Sequence, residues 1–187
     1  MDWTFLIPLG VVVVVGLVVL GHYNRMIALD ERCATALSDI DVQLKHRHSV
    51  IPSLVETVRG IAGHETNAIT AITNARTAVG RAASEEARHS AEMELGQRIT
   101  FLVQQAEAYP DLAASSHFRD LRVELSDIEN RITASRRYYN LTVDEFNATI
   151  RQFPGNLIGG FARLDRRSRF DLGSERLLAD EPVAFRF

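Results

Sequence analysis

The stretch "FLIPLGVVVVVGLVVLG", residues 5–21, runs for seventeen positions without a charged side chain. As a helix rising ~1.5 Å per residue it spans roughly 26 Å, close to the ~30 Å hydrocarbon core of a bilayer. So many valines make a poor helix in water. In lipid, however, every backbone N–H and C=O must be paired within the segment, and a lone span there has to be helical. Trp3 stands just ahead of the run, at headgroup level. The rival reading is a cleaved signal peptide, which calls for Lys or Arg before the apolar run and small residues at a cleavage site after it. Here Asp2 precedes and "GHYNRM" follows. The expectation is a retained anchor over residues 1–21, touching the membrane through residues 5–21. No Lys or Arg precedes the run, whereas Arg25 and Arg32 follow it, which places the N-terminus outside and the body in the cytoplasm.

Beyond the anchor, apolar residues recur at steps of three and four: Met26, Leu29, Cys33, Leu37, Ile40, Leu44, then Ile51, Leu54, Val58, Ile61, then Ile69, Ile72 and Val79. That period is helical, and its phase survives the stretch "KHRHSVIPS". Pro52 cannot donate to the carbonyl of His48, and Gly60 and Gly63 weaken a helix nearby. One long bent helix is expected, with a break near Gly60 to Gly63 as the alternative. After "AVGRAAS", Ser84 suits an N-cap with Glu85 and Glu86 in the first turn. A second helix carries Ala91, Leu95, Ile99, Leu102 and Ala106 inward and stops at "YPD". A third begins at Ser115 or Ser116, buries Phe118, Leu121, Leu125, Ile128, Ile132, Tyr139, Val143, Phe146 and Ile150, and ends before "FPGN". Helices of this length with short connections pack as an antiparallel bundle of three to four over residues 22–155, giving an all-α fold.

Residues 156–187 hold no sustained helical stripe and are expected to be an irregular tail, with "PVAFRF" as a short strand and Phe161, Phe170 and Phe185 as packing points. Arg163, Arg166, Arg167 and Arg169 cluster there. They suit anionic headgroups, yet Asp165, Asp171 and Glu175 are interspersed, which favours a solvated surface.

Composition removes several function classes. A net charge of −3 and no basic runs interleaved with aromatics leave no footprint for nucleic acid. The single Cys33 excludes an intrachain disulfide framework, and its place on the apolar stripe reads as a small buried hydrophobe. "HETNA" at 64–68 lacks the second His of a zinc-protease helix, and His46 and His48, two apart, point to different sides of a helix. No phosphate loop and no Ser–His, Cys–His or paired-carboxylate arrangement occurs. "NLT" at 140–142 and "NAT" at 147–149 fit a glycosylation pattern but fall inside an expected helix. No cofactor, no metal and no catalytic residue is therefore expected.

Arg47, Glu65 and Arg76 fall where the seam calls for an apolar residue, and Glu129, Arg136, Asn140 and Asn147 form a polar file at spacings of seven, four and seven. Charges aimed at a packed seam need partners, because unpaired burial is costly. They define either a ligand cleft between helices or a set of interhelical ion pairs and amide bonds that fix register. The second reading is preferred, since nothing nucleophilic accompanies them.

With those residues in view, the chain resembles the LemA family of bacterial membrane proteins. The likeness rests on the short anchor, "YN" at 23–24, "IDVQLKHRHSVIPSLVETVRGIAGHE" at 40–65, "AR" at 75–76, "YPDL" from 109, "RRYYN" from 136 and "FNATIRQFP" ending at 154. It covers roughly residues 22–155. Positions matching the family pattern are Gln43, Arg47, Pro52, Glu65, Arg76, Arg136, Tyr139, Asn140, Asn147 and Pro154; Ser53 departs from it, where the family often has Asn. The resemblance implies a single-pass protein of the bacterial inner membrane with a helical bundle, and brings no established reaction. The functional expectation is a non-enzymatic interaction or scaffold protein, working through protein partners or a homo-oligomer. The alternatives are a small-ligand receptor or enzyme using an Arg/Glu cleft, and a secreted domain. No Gly-x-x-x-Gly pattern in the span supports self-association there.

Overall fold

The structure, a computed structural model, describes residues 3–62, 66–106 and 109–170. Six helices follow in order: α1 (Trp3–Ala62), α2 (Thr66–Arg81), α3 (Glu85–Ala106), α4 (Pro110–Ala114), α5 (Ser116–Arg151) and α6 (Gly155–Ala162). The fold is all-α, as the apolar period dictates. Two compact units share these helices: Ile40–Thr133 forms one, and Met1–Asp39 with Ala134–Phe187 forms the other.

In the Ile40–Thr133 unit the helices run up, down, up and down. Val79, near the end of α2, lines the same surface depression as Leu44 and His48 of α1, so α2 doubles back along α1. Arg88 and Glu92 of α3 then meet Asp41 and His48, so α3 runs with α1, and α5 returns after the short α4. This corrects the single long helix: the stripe continues in α2 with the same period, but on a helix that has reversed direction, as the alternative at Gly60 to Gly63 allowed. Ile51, Leu54, Val58, Ile69, Ile72, Leu95, Leu102, Leu112, Leu121 and Ile128 supply the core. Ser84 caps α3, its hydroxyl accepting from the Ala87 N–H at 3.1 Å with Glu85 and Glu86 in the first turn. Pro52 is exposed, and α1 continues through it.

In the other unit, α1 begins with an apolar stretch from Ile7 to Leu20 that lies entirely on the surface. Among the described residues α1 is the one helix long and apolar enough to cross a membrane. Past that stretch the stripe Met26, Leu29, Cys33 and Ala36 is buried, as are Tyr139, Val143 and Phe146 of α5. Arg25 pairs with Glu145 at 3.5 Å and Cys33 meets Thr142, so the two helices are antiparallel.

The tail differs from its irregular expectation at residues 155–162, which form α6. The helix follows a cis Phe153–Pro154 peptide and ends at Arg163, whose backbone is left-handed (φ 53°). Two glycines set it close to its neighbours. A Cβ at Gly155 would collide with the Thr149 carbonyl oxygen, and one at Gly159 would lie 3.1 Å from Met26 Cε and 3.4 Å from Ile150 Cγ2. Residues 164–170 are extended without regular structure. The strand expected in "PVAFRF", and with it Phe185, lies outside the described residues, as do His64 and Glu65.

Candidate functional site

The polar pattern residues divide between the two units and do different work in each. In the Ile40–Thr133 unit, Arg47 is 2% exposed. Its Nη2 donates to Glu92 Oε2 at 2.6 Å and to the Glu92 carbonyl at 2.7 Å, while Nη1 donates to Glu129 Oε2 at 3.1 Å. His48 Nε2 donates to the other Glu92 oxygen at 2.9 Å. One guanidinium thus ties α1 to α3 and α5. Gly96 on α3 makes the room: a Cβ there would stand 2.8 Å from Arg47 Nη1. Burial alone would push the Glu92 carboxyl up, but the hydrogen bonds from His48 and Arg47 outweigh it and hold the group below its ordinary range.

Glu92 is the residue that sequence reasoning missed. Ala91 was expected inward and is only half-buried, while Glu92 is buried. The signal was present, because Glu92, Leu95, Ile99, Leu102 and Ala106 step by three, four, three and four, placing a carboxylate at the head of a seam.

In the other unit, Asn140 and Asn147 face the extended tail. Asn140 Nδ2 donates to the Phe170 carbonyl at 3.1 Å and its Oδ1 accepts from the Phe170 N–H at 2.9 Å. Asn147 treats Arg167 in the same way, at 2.9 and 3.1 Å. Seven residues on a helix advance ~10.5 Å, and three residues of extended chain advance about 10 Å. Two amides two turns apart therefore meet backbone groups three residues apart, and the helix stands in for a strand edge. Tyr139 adds a hydrogen bond from its hydroxyl to the Ser168 carbonyl at 3.2 Å and an edge-on contact with Phe170. Arg167 Nε donates to Asp30 at 2.7 Å, and that bond holds its guanidinium further into the charged form. Arg169 Nε donates to Asp144 at 2.6 Å. The expected interhelical amide bonds are thus amide-to-backbone bonds with the tail. The tail arginines 167 and 169 are engaged with carboxylates of α1 and α5.

Of the remaining pattern positions, Arg136 is buried on α5, Pro154 precedes α6 and Gln43 is half-buried with an Oε1 that has no hydrogen-bond partner among the described residues. Arg76 is exposed on α2, which corrects its assignment to the seam. Burial pushes the Cys33 thiol up, against its contact with Thr142, which suits an inert side chain. Among the described residues no three His, Cys, Asp or Glu side chains gather as metal ligands would. An open depression of about 320 Å³ is lined by Asp41, Leu44, Lys45, His48, Val79, Arg88 and Glu92. Arg88 there pairs with Asp41, and His48 with Glu92.

Fold and site together define a helical-bundle protein with one exposed, membrane-length apolar helix segment and polar pattern residues turned to internal fastening. The model of the LemA family matches residues 36–187, and the chain belongs to that family. The match takes in the tail as well as the bundle. A relative named "Protein LemA" from Metamycoplasma hominis is 27% identical over 145 residues, covering 75% of this chain and 65% of the relative. The chain thus spans just under two thirds of that relative's length.

Proposed function

We propose that this chain is a membrane-anchored interaction protein, held in the bacterial inner membrane by residues 5–21 with its bundle on the cytoplasmic side, acting as a scaffold through copies of itself or other proteins and catalysing no reaction. The observation that carries this reading is the apolar start of α1. Val11 to Leu20 are exposed among the described residues, yet belong to the same helix that enters the folded body. Such a face is stable in lipid and unfavourable in water. Arg25 and Arg32 set the orientation.

The Arg47 cluster supports the scaffold over a ligand cleft. Its guanidinium is hydrogen-bonded to Glu92 and Glu129, so a ligand at that point would have to displace two carboxylates. The test is native mass determination of the full-length protein from alkaline-washed membranes, extracted in mild detergent. Retention through the wash and a defined oligomer or stable hetero-complex are expected. Release by the wash would remove the anchor, and a strictly solitary monomer would remove the scaffold.

A further inference from the structure

Among the described residues the two most exposed large apolar side chains lie on α6 and in the turn before it. Phe161 is 92% exposed and Phe153 80%, more than any residue of the α1 apolar stretch, where Val12 reaches 67%. Leu157 is exposed between them, one helical turn from Phe161. Ile158 and Gly159 are buried, and Gly159 lies against Met26 and Ile150. α6 therefore carries apolar side chains on both sides, with Asn156 its one polar side chain, and only one side is covered.

Its position names the cover. Within this unit α5 runs antiparallel to α1: Thr142 meets Cys33, and Ile150 and Met26 both lie against Gly159. From Met26, beside Ile150 near the end of α5, back to Gly21 five residues advance ~7.5 Å. The end of α5 and the Phe153 turn therefore stand within about two helical turns of the last residues of the apolar run. Gly159 is held at the same end, since a Cβ there would touch both Met26 and Ile150. Exposed Arg151, Arg163 and Arg166 flank this segment in the sequence, with exposed Asp165 among them. Exposed aromatic and aliphatic groups flanked in sequence by arginines, within about two helical turns of where a span leaves the hydrocarbon, match an anionic bilayer interface.

We propose that Phe153, Leu157 and Phe161 form a second membrane contact, inserting into the headgroup and upper acyl region beside the point where α1 enters the bilayer. This rests on the anchor reading above. It adds that the folded body is fastened to the surface at two points and cannot swing freely about the span. The contact is independent of which side of the membrane carries the body.

Trp3 is the sole tryptophan, so a Trp3→Phe chain is a silent background for fluorescence. In it, Phe161→Trp and, separately, Val13→Trp report depth when the full-length protein is reconstituted into phosphatidylcholine/phosphatidylglycerol vesicles brominated at shallow or deep acyl positions. Phe161→Trp changes an exposed side chain and leaves the packing alone; Leu157→Trp provides a second reporter. The expected result is a blue-shifted emission from both tail reporters, with greater loss under shallow bromine, and greater loss under deep bromine for Val13→Trp. Quenching of Val13→Trp without quenching of the tail reporters would overturn the second contact and leave the anchor standing. Quenching of neither would overturn the anchor as well. A blue shift without quenching would mean that another copy of the chain covers α6, which also overturns the proposal.

Discussion

The two units place polar residues on the same kind of helical face and use them in opposite ways. In the Ile40–Thr133 unit the polar groups are ions, and they join helix to helix through one buried guanidinium. In the unit of Met1–Asp39 and Ala134–Phe187 the principal groups are neutral amides, and they join a helix to extended backbone. The chemistry follows the partner. A carboxylate can meet a guanidinium across a seam, whereas an amide offers both a donor and an acceptor to the N–H and C=O of one residue. Removing an ion should therefore disturb the whole bundle, whereas removing an amide should free a local segment.

The largest expected effect is Arg47→Met, which leaves Glu92 buried without its guanidinium and should lower stability by about 3–5 kcal/mol in chemical denaturation. Because the folded-state pKa of Glu92 lies below its ordinary 4.5, its contribution is complete above that value and lost as pH falls through the carboxylate range. Glu92→Gln should flatten that acid limb while also lowering stability at neutral pH. If the limb is unchanged, Glu92 is not held as described. Next, Gly155→Ala forces a Cβ against the backbone oxygen of Thr149 and should cost about 1–3 kcal/mol, read as a lowered melting temperature. Unaltered stability there would mean that α6 sits further from α5.

Asn147→Ala and Asn140→Ala should each weaken the local hold on the tail by about 1–3 kcal/mol. The change should be visible as faster tryptic cleavage after Arg167 and Arg169, with little effect on the bundle. A sharper contrast comes from Gly96→Ala. It should destabilise the native chain by crowding Arg47, yet stabilise the Arg47→Met chain by roughly 0.5–1 kcal/mol, because alanine is the better helix former once the guanidinium is gone. The same sign in both backgrounds would show that Gly96 is not there to admit Arg47. The smallest effect belongs to Arg98→Ala, which loses only an exposed pair with Glu94 and should cost under about 0.5 kcal/mol.

The bundle was legible because α3 and α5 each keep one uninterrupted stripe between recognisable ends, Ser84 and "YPD" for one, Ser116 and "FPGN" for the other. The reversal between α1 and α2 was harder to see. Apolar spacing records which residues face a core but not the direction in which the helix travels, and Ile61 to Ile69 keeps a helical count across the break. α6 was invisible for a different reason: "GNLIGGFA" is only eight residues long, with three glycines and Asn156 as its one polar side chain, too short to show a sustained stripe. Arg47 and Glu129 could be selected as seam ions from their positions. The role of Asn140 and Asn147 could not, because their partners are backbone groups, and backbone leaves no signature in a sequence beyond the spacing of the amides themselves.

The most direct test of the division between the units is amide hydrogen exchange on the full-length protein, native against Asn140→Ala/Asn147→Ala. The account expects the amides of Arg167 and Phe170 to lose protection while those of α3 and of α5 from Phe118 to Ile132 keep theirs. Unchanged protection at Arg167 and Phe170, or loss spread through both units, would contradict it.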